Sequence, residues 1–251
     1  MKDLKEKVLS LIFPPRCAVC GEVLTLEEQE GFLCKNCVED IPYIAEGECP
    51  HCGGSTETAG FCEACVKHFA FDSACAAFPY EAVRTAIHLF KYDGGKEIGR
   101  GLGQLMAEYL LRYHEELLVK TDVITAVPLY PKKEKNRGFN QANILSEAIS
   151  QKTGLIFEKN GLTRKRDTAA QSLLNPDERK ENLKDAFGAA GDFAGKRVLL
   201  VDDIFTTGST CQECARTLYR AGAKEVMVFS LSKAGVHKGA DGDFVCQDCE
   251  K

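Results

Sequence analysis

From residue 69 onward, the apolar positions of the chain alternate between strand-like and helix-like spacing. Four short runs are rich in apolar residues, as strands buried in a sheet are: residues 74–80, 123–128, 196–202 and 225–231. Apolar positions at intervals of three and four predict helices between and after them: residues 81–91, 99–118, 141–153 and 208–221. Alternating strands and helices predict an open, mostly parallel α/β sheet with flanking helices and with ligands at the carboxyl ends of its strands.

The first 68 residues lack this periodicity and carry most of the cysteines. Eight of the thirteen cysteines lie here, in four Cys-x-x-Cys pairs: Cys17 and Cys20, Cys34 and Cys37, Cys49 and Cys52, Cys62 and Cys65. Two such pairs complete a tetrahedral zinc site with zinc–sulfur distances of about 2.3 Å, so four pairs predict two structural zinc ions. We expect sequential pairing, first with second and third with fourth, although an interleaved arrangement fits the spacing equally well. The predicted domains are 1–68, a small zinc-ribbon domain, and 69–251, which ends in a short acidic tail.

Composition and net charge exclude some classes of protein and of function for this chain. The 251 residues are 44% hydrophobic and 27% charged, which is typical of a globular protein with a real core. The net charge of −5 argues against a uniformly basic nucleic-acid binder, although a local basic patch remains compatible with it. No apolar run reaches the roughly 20 residues of a membrane helix, and no targeting segment is visible. We therefore expect a cytoplasmic protein without membrane insertion, in which reduced cysteines bind metal rather than form disulfides.

The run 201–210 (VDDIFTTGST) carries the clearest chemistry. Two acids follow a buried strand, and a loop rich in hydroxyl groups opens the next helix. Carboxylates suit the vicinal hydroxyls of a ribose, and unpaired N–H groups at a helix N-terminus suit a phosphate. The pattern therefore predicts a sugar-phosphate site. The alternative is an acidic strand end followed by an ordinary Ser/Thr helix cap.

The run 198–210 (VLLVDDIFTTGST) resembles the signature with which type I phosphoribosyltransferases bind phosphoribosyl pyrophosphate (PRPP). The wider chain resembles the ComF family of competence-associated proteins, which join zinc ribbons to that fold. The cysteine pairs carry this closer match together with three further stretches: 127–142 (VPLYPKKEKNRGFNQA), 164–174 (RKRDTAAQSLL) and 179–187 (RKENLKDAF). The resemblance covers nearly the whole chain and implies a phosphoribosyltransferase fold after the ribbon domain.

The resemblance also implies roles for individual residues. The pair Asp202 and Asp203 is expected to hold the ribose hydroxyls, directly or through Mg²⁺ and its waters. The 5′-phosphate is expected to lie against Thr206, Thr207, Gly208, Ser209 and Thr210. The pyrophosphate is expected to meet Lys132, Lys133 and Arg137, where a solvated basic turn is the alternative. A flap that closes over the site is expected to carry Arg164, Arg166 and Gln171, although the same residues also fit an inert surface loop.

Two classes of function follow from the resemblance. An enzyme would transfer the phosphoribosyl group from PRPP to an acceptor nucleophile with the help of Mg²⁺. A binding protein would sense PRPP without turning it over and act in competence, through single-stranded DNA or partner proteins that its zinc ribbons and basic segments recognise. A basic surface should release nucleic acid steeply as salt rises, whereas PRPP held by acids and hydroxyl groups should depend on Mg²⁺.

Overall fold

The structure is a computed structural model that describes residues 14–25, 27–28, 32–44, 49, 62, 65, 69–92, 95–166, 185–233, 237–238 and 244–245. Its helices are α1 (Lys35–Asp40), α2 (Tyr80–Phe90), α3 (Gly95–Tyr113), α4 (Glu115–Lys120), α5 (Pro131–Arg137), α6 (Gln141–Thr153) and α7 (Ser209–Arg220). Its strands are β1 (Ser73–Pro79), β2 (Val123–Ala126), β3 (Leu162–Arg164), β4 (Phe187–Ala189), β5 (Arg197–Phe205), β6 (Glu225–Lys233), β7 (His237–Lys238) and β8 (Phe244–Val245).

Four of these strands form one parallel sheet in the order β1-β6-β5-β2. The buried part of β5 is apolar, and β6 is apolar from Val226 to Phe229, because both faces of these central strands are covered. Toward its carboxyl end β6 also buries Ser230, Ser232 and Lys233. Short antiparallel pairs, β3 with β4 and β7 with β8, lie outside this sheet. The architecture confirms the open α/β sheet that the alternating pattern predicts.

The sheet separates two hydrophobic clusters, one on each face. Along β5, Leu199 and Val201 belong to one cluster, and Val198 and Leu200 belong to the other, as the period of two along a strand requires. Cysteines of the predicted zinc pairs also lie on both faces of the sheet. Cys17, Cys34 and Cys37 belong to the cluster with Leu199. Cys49, Cys62 and Cys65 belong to the cluster with Val198.

The helix predicted over residues 99–118 is wrong at both ends. Helix α3 begins at Gly95 and ends at Tyr113, and a non-helical residue, His114 (φ −139°), separates it from α4. The predicted apolar face is buried as expected: Leu102, Leu105, Met106, Tyr109 and Leu110. Among the described residues, no helix combines the length and the apolar character needed to cross a membrane.

Two further elements differ from the prediction. Strand β5 continues to Phe205, so the acids lie on its last part, with Asp202 opposite Ser230 of β6. The basic stretch after β2 forms the short helix α5 rather than a loop. The helix begins with Pro131, and Gly138 follows its last residue in the left-handed conformation (φ 84°). Proline at the start and a left-handed glycine after the end are the usual signals for the two ends of a helix.

The N-terminal segment packs directly on the sheet. The Ile44 N–H donates to the Ala77 carbonyl of edge strand β1 at 2.9 Å. Beside this bond, the Tyr43 ring stacks on Phe78 with 5.0 Å between centroids and on Tyr109 with 5.3 Å. Aromatic pairs of this kind add about 0.5–1.5 kcal/mol beyond the area they bury. The ribbon segment is therefore docked on the α/β sheet through residues 43 and 44.

His114 stands beside this aromatic cluster and makes folding dependent on pH. Its ring lies 4.9 Å from that of Tyr109, and its Nε2 atom is buried without a hydrogen-bond partner among the described residues. Burial lowers the pKa of His114 to about 4, because an imidazolium would lose its hydration there.

We expect the chain to lose about 2 kcal/mol of stability through His114 between pH 7 and pH 5. The folded pKa is depressed, so this stability is present above the unfolded value and is lost as the pH falls toward 4. Urea unfolding of the wild type and of His114→Phe at both pH values measures the effect. An equal loss in both proteins would assign the pH dependence to other groups, such as the cysteine ligands.

Candidate active site and cysteine clusters

The structure brings seven of the eight predicted cysteine ligands into two groups. One contains Cys17, Cys20, Cys34 and Cys37, and the other contains Cys49, Cys62 and Cys65; within each group, all sulfur atoms lie within 4.8 Å of one another. The eighth, Cys52, lies outside the described residues. This grouping follows the sequential arrangement of the pairs rather than the interleaved one.

The first group has the dimensions of a zinc site. A tetrahedron with zinc–sulfur distances of about 2.3 Å has edges of about 3.8 Å, and the sulfur atoms of Cys20 and Cys34 are 3.7 Å apart. The Cys34 N–H donates to the Cys17 sulfur, and the Cys37 N–H donates to the Cys34 sulfur, each at 3.4 Å. Burial opposes ionisation of Cys17, but backbone N–H groups, led by that of Cys20, bring its pKa down to about 7. These donors stabilise the Cys17 thiolate, whereas burial raises the pKa of Cys34 and of Cys37. The sulfur spacing and the four-cysteine ligand set fit zinc.

A cleft of about 240 Å³ lies at the carboxyl ends of β2 and β5. This is where open parallel sheets bind ligands, because the connections on the two sides of the site diverge there. Three segments form most of its wall: the residues after β2, the junction of α5 with α6, and the run from the acids of β5 into α7. Most of the predicted site residues therefore share one cavity.

The two acids line the cleft in different ways. One carboxylate oxygen of Asp202 accepts from the Asp203 N–H at 2.8 Å, and the other lies 3.6 Å from the Cys211 thiol. Burial, and then the adjacent charge of Asp203, raise the pKa of Asp202 well above its usual range. The Asp203 carboxylate instead lies 3.9 Å from the ammonium group of Lys91. Asp202 is thus the inward-facing acid of the pair, and Asp203 has the neighbouring cation.

The loop between β5 and α7 has the conformation that an anion site requires. Gly208 is left-handed (φ 71°) and immediately precedes the first residue of α7, Ser209. The cleft is lined here by Thr206, Gly208, Ser209 and Thr210. Thr207 is not among the lining residues, but its hydroxyl group lies 2.9 Å from that of Ser209. The positive end of a 12-residue helix and several hydroxyl groups therefore face the same space.

The three predicted pyrophosphate ligands divide among different places. Arg137 lines the cleft, where its guanidinium donates to the Gln141 side chain at 2.7 Å. Lys133 lines an adjoining groove. Lys132 is exposed and lines neither space as the structure describes them. Lys133 and Arg137 lie about one helical turn apart and both line the groove, but of the three residues Arg137 alone also lines the cleft with the acids.

The predicted flap begins as a strand. Arg164 ends β3 and lines the cleft, and its guanidinium lies 5.5 Å from the centre of the Phe187 ring of β4. Arg166 is exposed two residues later. Gln171 lies outside the described residues, so its predicted role stays a prediction.

Comparison with known proteins agrees with this arrangement. Residues 8–66 match the family described as the double zinc ribbon domain, and residues 135–250 match the phosphoribosyl transferase domain. The competence protein ComFC of Streptococcus pneumoniae is 32% identical over 230 residues, which cover 86% of this chain and 99% of that protein. Competence protein F of Haemophilus influenzae is 33% identical, with 87% and 97% covered. The chain belongs to the ComF family.

A more distant relative is similar over a shorter stretch. The DNA utilization protein YhgH of Escherichia coli is 36% identical over 148 residues, which cover 59% of this chain and 65% of that protein. The match to the phosphoribosyl transferase domain begins at residue 135, yet β1 pairs with β6 in the same sheet. In this ComF chain the phosphoribosyltransferase fold therefore includes residues well before the matched region.

Sequence reasoning assigned no role to two residues that line the cleft, Lys91 and Asn140, or to Lys233, which supports its loop. Lys91, at the end of α2, reaches Asp203 from a part of the chain more than one hundred residues away. Lys233, which is buried, donates to the Thr206 carbonyl at 2.9 Å and supports the loop from β6. Asn140 caps α6 by accepting from the Ala142 N–H at 3.1 Å. For Asn140, the sequence signal was its position directly before a predicted helix. The sequence gives no comparable signal for Lys91 and Lys233, because tertiary packing brings these two lysines to the site.

Proposed function

We propose that the chain binds PRPP together with Mg²⁺ in the cleft above β2 and β5. The observation that carries this proposal is the run in which Asp202 and Asp203 lead directly into the left-handed Gly208 and the start of α7. In this proposal the acids bind the ribose hydroxyls, and the loop binds the 5′-phosphate. Carboxylate oxygens are also the ligands that Mg²⁺ takes while it keeps several waters.

The same cleft supports phosphoribosyl transfer. In that reaction, the bond between C1′ and the pyrophosphate oxygen breaks, and a bond from C1′ to the acceptor replaces it. Arg137 and Lys91 lie where they attract the charge of the departing pyrophosphate. In this proposal the acid pair fixes the ribose, and Arg164, which lines the same cleft, closes the space around the reacting carbon. Bound Mg²⁺ would supply further neutralisation of the leaving group.

Zinc is proposed as a structural metal in both cysteine groups. The matched double zinc ribbon domain and the sulfur geometry support two ions for each chain. Cys49, Cys62 and Cys65, with Cys52 as the fourth ligand, would hold the second ion. Neither group lines the cleft as described, so the metal would hold the fold rather than react.

A second candidate function is the handling of single-stranded DNA in competence. The relatives from S. pneumoniae and H. influenzae are named competence proteins, and that from E. coli is named a DNA utilization protein. An open groove of about 720 Å³ adjoins the cleft and supports this candidate. Its cations and rings suit a strand whose phosphates bind cations and whose bases stack: Lys91, Lys96, Lys133, Arg137, Tyr92 and Phe139.

The test is a calorimetric titration of the zinc-loaded chain with PRPP, with and without Mg²⁺, followed by an assay of pyrophosphate release with a panel of nucleobases. We expect Mg²⁺-dependent binding, and release with one base would identify a transferase and its acceptor. Binding without release would favour the PRPP-responsive protein. Absence of PRPP binding with Mg²⁺ present would contradict the proposal.

The same protein tests the groove with a single-stranded oligonucleotide. If the four cations meet phosphates, the logarithm of the binding constant should fall against the logarithm of salt with a slope of about −3. Tyr92→Ala, which alters a side chain that is 63% exposed, should weaken strand binding and leave PRPP binding unchanged. Equal strand binding in the variant would remove the groove from the DNA function.

A further inference from the structure

The second cysteine group lies on the same face of the sheet as the phosphate loop. Cys49 and Cys65 are buried in the cluster that contains Phe205 and Cys211, and Cys62 packs against it. Phe69, four positions after Cys65, also packs against this cluster. The first cysteine group belongs to the cluster on the other face. Only the second group therefore shares its packing with the loop.

Phe69 and its neighbours form an aromatic platform under the loop. The Phe69 ring stacks on Phe71 with 4.7 Å between centroids, and it meets Phe205 edge to face at 5.9 Å. Phe205 is the last residue of β5, and the loop starts immediately after it. Lys233 places its ammonium group 5.3 Å from the centre of the Phe205 ring. The chain that leaves the second cysteine group thus becomes part of the support for the loop.

The loop rests on this platform without spare room. A methyl group built on Gly208 would come within 2.6 Å of the Phe205 ring and within 2.7 Å of the Phe69 ring. Both contacts are far shorter than carbon atoms tolerate, so the backbone of Gly208 already lies against the two rings. A displacement of Phe69 would change the surface on which the N-terminus of α7 is held.

We propose that Phe69 couples the second cysteine group to the phosphate loop, so that zinc at Cys49, Cys62 and Cys65 and a phosphorylated ligand at the loop strengthen each other's binding. Phe69 is a positioning residue, because it acts through Phe205 and Gly208. This inference rests on the proposed PRPP site. Thermodynamic linkage requires the effect to be reciprocal: the factor by which zinc tightens the ligand is also the factor by which the ligand tightens zinc.

The first measurement is the affinity of zinc-loaded variants for PRPP with Mg²⁺. Phe69→Leu keeps an apolar side chain at this position, and we expect it to retain two zinc ions while PRPP binding weakens about tenfold, within the range typical of coupled sites. Phe193→Leu is the matched control, since Phe193 is buried in the same cluster but precedes β5 at its opposite end. Equal PRPP affinity in the two variants would overturn the proposal.

The second measurement is the rate at which zinc passes to a chromogenic chelator. With PRPP and Mg²⁺ present, we expect one of the two ions to be released several-fold more slowly in the wild type and in Phe193→Leu, but not in Phe69→Leu. Unchanged release in the wild type, or equal protection in Phe69→Leu, would overturn the coupling. Ribose 5-phosphate serves as a second probe, so that a chain without PRPP affinity contradicts the proposed function separately from the coupling.

Discussion

The double substitution Asp202→Asn with Asp203→Asn is expected to weaken PRPP binding at least a hundredfold while the fold stays intact. Hydrogen bonds to charged groups contribute about 1.5–3 kcal/mol each, so the loss of two reaches roughly two decades or more in affinity. The fold should tolerate the change, because a neutral amide is easier to bury than the carboxylate of Asp202, whose pKa burial already raises.

Calorimetry with PRPP and Mg²⁺ measures this loss, and thermal unfolding verifies the fold. Asp192→Asn is the matched control: it also removes one carboxylate, but Asp192 is exposed and pairs with Lys196 far from the cleft. We expect wild-type affinity in the control. Wild-type affinity in the double variant would mean that PRPP binds elsewhere.

The second large effect is expected for Gly208→Ala. The left-handed backbone costs an alanine about 1–2 kcal/mol, and overpacking against the rings of Phe69 and Phe205 adds about 1–3 kcal/mol. We therefore expect the free energy of unfolding to fall by about 3 kcal/mol. PRPP affinity should fall at least about tenfold, because the loop must move away from the platform to make room.

Urea unfolding separates the two causes with Gly154→Ala as the control. Gly154 has a similar conformation (φ 78°), and a methyl group there would meet nothing within 4 Å. The control should therefore lose only the backbone cost and keep its affinity for PRPP. Equal losses of stability in the two variants would show that the rings of Phe69 and Phe205 move aside at little cost. The loop would then not be closely packed against them.

The order of strands and helices could be predicted because periodicity reports burial directly. Helix 141–153 was predicted with both of its ends, since Asn140 caps its start and Gly154 takes the left-handed conformation at its end. Helix α3 was misplaced at its C-terminal end because the apolar spacing continues past His114, where the backbone leaves the helical conformation. Its glycines Gly99 and Gly103 are packing positions, where a methyl group would lie 2.2 Å from the Phe90 ring and 2.6 Å from Ala148.

The candidate site also has one part that the sequence predicts and one part that it does not. The acids and the phosphate loop are contiguous in sequence, so their chemistry could be identified before the fold. Lys91 and Lys233 enter the site from other strands and helices, and only tertiary packing brings them there. The family resemblance and the basic charge of the stretch after β2 assign Lys132 and Lys133 to pyrophosphate, and for both lysines this role stays a prediction. Neither signal specifies which residues of a short helix face a cleft.

The hydrogen bond between Ile44 and Ala77 also bears on the tendency of the chain to self-associate. Strand β1 lies at the edge of the parallel sheet, and an uncovered edge offers unpaired N–H and C=O groups to any other extended chain. Ile44 occupies part of this edge, and the ring of Tyr43 covers the apolar surface beside it. Removal of residues 1–68 would therefore expose this edge and the apolar surface beside it, and we expect self-association to accompany the loss of the ribbon segment.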